Sequence, residues 1–401
     1  MDNGNLKINK IIYALLSESL NPKGASLAAL TEDMTAEEWL ELYRVAERHA
    51  IEALIYERIE NSNAPEHIKT KFLGRTRIKI LQSYKLWFLT KYIAGLMEKA
   101  GIDIVVLKGI ATAGYYAVPE LRKSGDVDIL LLDSGKLPEA KRLLLDNGFR
   151  ISDEQHAVHH LAFVSEDKIY VEVHTLLAEP FDNNRINDYL ERMLKDVKLQ
   201  KERGEVIGIA VPRLKPGFHA YELLMHMLQH YLLSGFGLRL MADWVVFWNS
   251  DIPEEERQIF LKLVRESRVK GFCDTITKAC IRYLGLEGDK VSFMELESEL
   301  DIDGFMEEMM VSGDFGEDDK TRMLVLRDKG IKSYLIAFHH QMKRNHPEKS
   351  RYVILWPALW IITFVVFIRN NRKLRHVSTL EVLKKSGQRA QYIKNMHIWK
   401  K

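Results

Sequence analysis

The chain has 401 residues, 46% hydrophobic and 28% charged, a globular composition that excludes a collagen-like rod, a continuous coiled coil and wholesale disorder. Its formal net charge of +2, from 58 Lys+Arg against 56 Asp+Glu, makes no case for a nucleic-acid partner of the whole chain. That average hides an asymmetry: residues 351–401 hold eleven Lys/Arg against Glu381 alone, a local +10 that leaves −8 on the rest.

Cys273 and Cys280 are the only cysteines, so neither a disulfide framework nor a Cys-based zinc site is available, and a reducing cytoplasm is the expected compartment. The amino-terminal segment lacks the apolar core and small-residue cleavage site of a secretory signal, so secretion is not expected.

From Met1 to about Lys99 the apolar spacing is helical. Trp39, Leu40, Tyr43, Ala46 and Ala50 form one stripe, and a second runs from Leu81 to Leu96. The pattern changes after Gly101, where the β-branched run Ile102–Leu107 is too short for a helix and predicts a buried strand. A short helix over Ile110–Ala117 follows, then a turn at Pro119 and a strand over Val127–Leu132. A further helix is expected, capped by Ser134 and ended by Gly148. Leu161–Val164 and Ile169–His174 alternate around Ser165–Lys168 as a hairpin. From about Asn184 helical periodicity dominates, including Ala220–Leu233, Leu238–Trp248, Glu255–Arg268 and Gly271–Leu284. The organisation read from this is a helical lobe (1–100), a small α/β core (101–180), a second helical lobe (181–345) and an apolar helix with a basic tail (346–401).

Chemistry concentrates in Gly125-Asp126-Val127-Asp128-Ile129. The two-residue period of a strand sets Asp126 and Asp128 on one face and turns Val127 and Ile129 into the opposite, apolar layer. Two carboxylates that close call for a cation between them, and such hard oxygen donors suit Mg²⁺. In the second hairpin strand Tyr170, Glu172 and His174 share a face. If that strand neighbours Asp126–Asp128, Glu172 becomes a third carboxylate, and the set could hold two Mg²⁺ about 4 Å apart, as in-line phosphoryl or nucleotidyl transfer uses them. His174 would be an outer contact or a proton acceptor. Lys108-Gly109, where a strand opens into a helix, is placed to cradle a phosphate, and Arg122 and Lys123 could touch the same triphosphate.

These residues resemble the nucleotidyltransferase-like families of the DNA polymerase beta superfamily, in particular uncharacterised bacterial nucleotidyltransferase family proteins. The shared features run in order: a helical lead-in at Trp39–Ile59, Leu107-Lys108-Gly109, the pair Tyr115-Tyr116, Arg122, Asp126-x-Asp128 and Glu172-x-His174. The resemblance covers 39–176 and continues loosely through His226, His230, Arg239 and Asp243. It implies an α+β fold, predominantly helical, with a small mixed sheet between helical lobes. Asp126, Asp128 and Glu172 would be metal ligands for two Mg²⁺, and an NTP, with ATP the expected donor, would be the substrate. The acceptor is not readable. A catalytically silent nucleotide- or partner-binding scaffold and a γ-phosphotransferase are the alternatives.

Other motifs read as structural. Tyr115 and Tyr116 are packing residues. His156, His159 and His160 lack a fourth ligand at zinc spacing. His226 and His230 sit four apart, but Met227 stands where a zinc-protease helix needs its Glu, so they are helix-face residues that could contact the nucleotide or Asp243. Arg239 and Asp243 read as an i,i+4 pair. Asp314-Phe315-Gly316 lacks the other kinase signatures.

Tyr352–Ile368 is a seventeen-residue run whose only polar member is Thr363, about 26 Å long as a helix and short of a hydrocarbon core. Burial against the helical lobe is the favoured reading. The alternatives are a helix lying on an anionic membrane as a peripheral contact, or a grip on RNA or an acidic partner through the basic 369–401 tail.

Overall fold

The computed structural model describes residues 3–23, 28–152, 160–181, 183–297, 299–314, 331–346, 348–373 and 379–398. The amino-terminal helices are α1 (Asn3–Leu20), α2 (Ala28–Thr31), α3 (Ala36–Arg48), α4 (Tyr56–Glu60) and the 34-residue α5 (Glu66–Lys99). α3 starts at a capping box: the Thr35 hydroxyl accepts from Glu38 N–H at 3.2 Å and Glu38 accepts from Thr35 N–H at 2.8 Å, which satisfies two backbone donors at the helix start.

The middle of the chain is mixed. It contains β1 (Ile104–Leu107), α6 (Gly109–Ala113), β2 (Asp126–Leu131), α7 (Leu137–Asp146), β3 (Arg150–Ile151), β4 (His160–Val164), β5 (Tyr170–His174), α8 (Asn184–Val197), β6 (Lys201–Val206) and β7 (Ile209–Leu214). Asp133, rather than Ser134, caps the turn into α7 by accepting from Gly135 N–H at 3.0 Å. The seven strands form one sheet in the order β3-β4-β5-β2-β1-β7-β6. β2 runs antiparallel to β1 and parallel to β5, and β4–β5 is the expected antiparallel hairpin.

β6 and β7 come from a stretch read as helical. Their two-residue turn is Ile207-Gly208, both at positive φ, the geometry of a primed hairpin turn. β6 is the charged edge strand Lys-Glu-Arg-Gly-Glu-Val, whose polarity hides the strand period but suits an edge.

Alternation divides the core between the two faces of this sheet. Val106, Val127, Ile129, Val171 and Val211 pack with Leu86, Trp87, Ile93 and Met97 of α5. Val105, Leu107, Leu130 and Leu214 face the second cluster, which joins the amino-terminal helices to α9 (Pro216–Leu233), α10 (Leu238–Asn249), α11 (Glu254–Ser267), α12 (Lys270–Tyr283) and α13 (Ile302–Ser312). α5 therefore serves both layers.

The chain continues through α14 (Ile331–Asn345), α15 (Trp356–Lys373) and α16 (Thr379–Asn395). Met396 and Ile398 are buried in the large cluster, and the Met396 backbone runs so close over Gly271 that a Cβ there would have no room. One expectation for this end is corrected. The apolar run is not buried as a whole, because only Leu359, Thr363 and Phe367 form an inward stripe on α15 while Ile354, Ile361 and Val365 are exposed. Among the described residues, no helix is long and apolar enough to cross a membrane.

Candidate active site

The polar face of β2 and β5 carries the acidic cluster. Parallel pairing sets Asp126 against Tyr170, Asp128 against Glu172 and Leu130 against His174, so the condition that makes Glu172 a third carboxylate is met. Ligand atoms of Asp128, Glu172 and His174 lie within 4.8 Å of one another. His174 Nε2 reaches Asp128 Oδ1 at 2.8 Å and Glu172 Oε2 at 3.3 Å. Two carboxylates at this spacing, with Asp126 one strand repeat away, form an oxygen donor set that fits a divalent cation. His174 touches two of these carboxylates directly, the position of an outer contact that orients them.

The charges are strongly coupled. Asp126 is raised by Asp128 first and by burial second. Burial acts to raise Asp128 as well, but Lys108 and His174 outweigh it and hold this carboxyl well below the usual range. Burial opposes charge on His174, yet its hydrogen bonds to Asp128 and Glu172 lift it to about 9. The imidazolium therefore neutralises part of the cluster.

Lys108 adds the second cation. Burial disfavours its charge, but Asp128, Glu222, Asp126 and Glu172 more than offset that and raise it, and Nζ stands 3.4 Å from Asp128 Oδ1. Lys108 and Gly109 both adopt positive φ, +47° and +46°. A lysine in that region is strained, and the turn brings β1 directly into α6 while keeping Lys108 at the cavity. α6 has only five residues, so the cradle depends on the ammonium and the turn's backbone more than on a helix dipole.

Arg122 and Lys123 both have carboxylate partners within the protein, and Arg122 also lines the cavity. Arg122 is almost fully buried, with Nε and Nη2 donating to Asp243 Oδ1 and Oδ2 at 2.7 Å each and Nη1 donating to Ser124 Oγ at 2.7 Å. Tyr116 OH adds a third hydrogen bond to Asp243 at 2.7 Å. Arg122 thus fixes the loop entering β2 onto α10 at the edge of the cavity. Lys123 donates to Asp314 Oδ2 at 2.9 Å, and Arg239 Nε donates to Asp314 Oδ1 at 3.1 Å. The i,i+4 pairing of Arg239 with Asp243 is replaced by these longer-range pairs. Tyr115 packs between His219 and Phe247 as expected.

The acidic face opens on a cavity of about 420 Å³ whose far wall is α9. Glu222, His226 and His230 line it at four-residue spacing. The two imidazoles meet edge-on, centroids 4.5 Å apart. Burial keeps both from protonating, lowering His226 well below its usual value and His230 to about 4. Glu222 escaped the sequence reading. It is buried, its Oε2 has no hydrogen-bond partner among the described residues, and burial pushes its carboxyl up to about 7. A lone acid in the apolar run Ala220–Met225, spaced four and eight from the two histidines, is the signal that could have found it. His156 and His159 lie outside the described residues, as do Phe315 and Gly316. The backbone of His160 pairs with that of His174.

An α+β protein with a seven-stranded mixed sheet, its acidic face turned to a cavity against a helical wall, is the class that this geometry defines. A family model described as uncharacterised nucleotidyltransferase matches residues 35–285, and the chain belongs to that family. Among solved structures it is similar to an antigenic nucleotidyltransferase-like protein from Paracoccidioides brasiliensis, with 16% identity, a TM-score of 0.32, and 52% of this chain and 96% of that chain covered. It is also similar to lincomycin-bound lincosamide antibiotic adenylyltransferase LnuA, with 13% identity, a TM-score of 0.25, and 43% and 92% covered. No curated protein matches it.

Proposed function

We propose that the protein transfers a nucleoside monophosphate from an NTP, ATP being the expected donor, to an acceptor hydroxyl, with Mg²⁺ bound by Asp126, Asp128 and Glu172. The observation that carries this reading is the β2–β5 register, which gathers the three carboxylates at one cavity beside Lys108. A triphosphate adds several negative charges to a cluster in which carboxylates already outnumber Lys108 and His174. Repulsion there amounts to about 4 kcal/mol per pair at 4 Å and an effective dielectric of 20, so divalent cations are needed for binding. When bound, Mg²⁺ neutralises charge on the transferred phosphoryl group and favours ionisation of the acceptor hydroxyl.

The acceptor oxygen forms a bond to the α-phosphorus as the bond from that phosphorus to the pyrophosphate oxygen breaks. Lys108 holds the β- and γ-phosphates as a point charge. The acceptor proton needs a base: Glu172 and His174 are the candidates legible in sequence, and Glu222 joins them from the opposite wall. His174, engaged by two carboxylates, is better suited to orient Asp128 and Glu172 than to take a proton. Much of the rate would come from positioning and electrostatics.

The test is Mg²⁺-dependent pyrophosphate release from ATP in the presence of a metabolite extract, compared with Asp126→Asn/Asp128→Asn. The reading expects release by the native chain only. ADP formation without pyrophosphate would assign γ-transfer, and metal-dependent ATP binding without turnover would assign a silent scaffold.

A further inference from the structure

The exposed face at the start of α15 is the largest feature that the cavity leaves unexplained. Between Tyr352 and Val365, nine large apolar side chains are more than a third exposed, with Ile354 at 88% and Ile361 at 66%. Contiguous patches of that extent are rare on the surfaces of soluble monomers and mark interaction sites. The helix is seated on its other side, where Phe338 of α14 meets Phe364 and Phe367 edge-on at 5.9 and 6.5 Å and Trp360 Nε1 donates to His339 Nδ1 at 3.2 Å. One flank, which includes Trp360 and Phe364 of these nine, is thus packed on α14, and the other seven face outward.

Charge selects the occupant. Lys349 and Arg351 precede the apolar run, Arg351 pairing with Glu348 at 3.4 Å, and Arg369, Arg372, Lys373 and Arg375 follow it, with no Asp or Glu from Lys349 to Leu380. Pairing with a second copy through a two-fold axis would oppose like charges at both ends of the face. An RNA backbone would meet the basic ends but leave Ile354, Ile361 and Val365 in water. A lipid surface satisfies both parts, since headgroups of negative charge attract the ends while the apolar centre enters the acyl boundary.

We propose that this face docks the protein on an anionic lipid surface, with α15 lying in the interfacial plane. An in-plane helix is also consistent with a length and polarity insufficient to span. Immersing the exposed isoleucines and valines provides the apolar part of the affinity, and the flanking Lys/Arg provide a part that salt screens.

The experiment is co-sedimentation of the full chain with phosphatidylcholine vesicles, with and without phosphatidylserine, at low and high salt. Binding is expected only with phosphatidylserine, and salt should weaken it. Ile354→Glu/Ile361→Glu/Val365→Glu should reduce it by at least about tenfold while keeping the native melting temperature, because all three side chains are exposed. Arg369→Glu should weaken binding in low salt and have little effect in high salt. Absence of binding to phosphatidylserine vesicles would overturn the proposal, as would undiminished binding by the triple variant. A concentration-dependent dimer or an RNA complex that the triple variant abolishes, without vesicle binding, would assign the face to that partner instead.

Discussion

Arg122 and Asp243 are locked by two parallel hydrogen bonds of 2.7 Å, with both side chains buried. The pair couples the loop four residues before Asp126 to the helix that backs the cavity. Breaking a buried ion pair by removing one partner leaves a desolvated charge and costs about 3–5 kcal/mol. Arg122→Leu and Asp243→Leu are therefore expected to lower the urea midpoint by similar amounts. A triphosphate contact at Arg122 would instead raise KM for the nucleotide and leave the midpoint unchanged, so denaturation curves and KM measured on the same variant separate the two roles.

Removing a carboxylate from β2 should separate stability from activity. Asp126 is raised by its neighbour Asp128 and by burial, so Asp126→Asn relieves repulsion and is expected to raise the melting temperature in EDTA. The same variant should lose the Mg²⁺-induced stabilisation of the native chain, because a ligand that binds only the folded state stabilises it by mass action. Activity should fall by about 10²–10³-fold, the loss typical of a transition-state charge contact. Differential scanning fluorimetry with and without Mg²⁺ checks the stability half. A lower melting temperature in EDTA would contradict it.

Glu222 offers a sharper probe of proton transfer than either strand residue. Its Oε2 is buried without a hydrogen-bond partner among the described residues, so Glu222→Gln removes an acid without breaking a hydrogen bond at that atom and should leave stability unchanged or slightly improved. If Glu222 accepts the acceptor proton, kcat falls by about 10²–10⁴-fold with little change in KM for the nucleotide. Steady-state kinetics on this variant and on His174→Gln would show which wall supplies the base.

Acid sensitivity should begin in the helical layers. Burial holds His49 down to about 4 and His219 to about 3. Leu238 N–H donates to His49 Nδ1 at 3.3 Å, so Nε2 carries the proton toward Met310 O, also at 3.3 Å. Their folded values lie below the unfolded value of about 6.5, so the unfolded chain takes up protons first as the pH falls. Stability is full above pH 6.5 and drops toward pH 4, by up to about 1.4 kcal/mol per pH unit for each histidine. His226 and His230, lowered by burial, add to the loss; His174, raised to about 9, is charged in both states below 6.5 and adds no slope there, whereas Asp126, raised to about 6, and Glu222, raised to about 7, oppose the trend. Melting temperatures at pH 7 and pH 5.5 should show a net loss, smaller in His49→Asn. Equal slopes for the two proteins would contradict the role of His49.

The residues that announced themselves in sequence did so through period. Asp126-Val127-Asp128 and Glu172-Val173-His174 alternate polar and apolar, and both strands formed with those faces. Their adjacency was conditional until β5 was seen to pair with β2. β6 and β7 were illegible because a charged edge strand and an Ile-Gly turn lack the usual hairpin signals. Arg122 and Lys123 looked ready for phosphate because sequence shows a charge but not its partner: Asp243 and Asp314 lie 121 and 191 residues away. Glu222 was masked by its immediate neighbours Tyr221, Leu223, Leu224 and Met225, which are core. The inward stripe of α15 and the exposed face beside it have the same composition, so only packing against α14 distinguishes them.

Transfer of the α-phosphoryl group is decided by incubating the native chain and Asp126→Asn/Asp128→Asn with Mg²⁺, a metabolite extract and ATP labelled at either the α- or the γ-phosphate. Nucleotidyl transfer predicts a labelled product from α-labelled ATP only, with the γ-label released as pyrophosphate and neither event in the double variant. A labelled product from γ-labelled ATP alone, or α-label transfer that survives in the double variant, would contradict it.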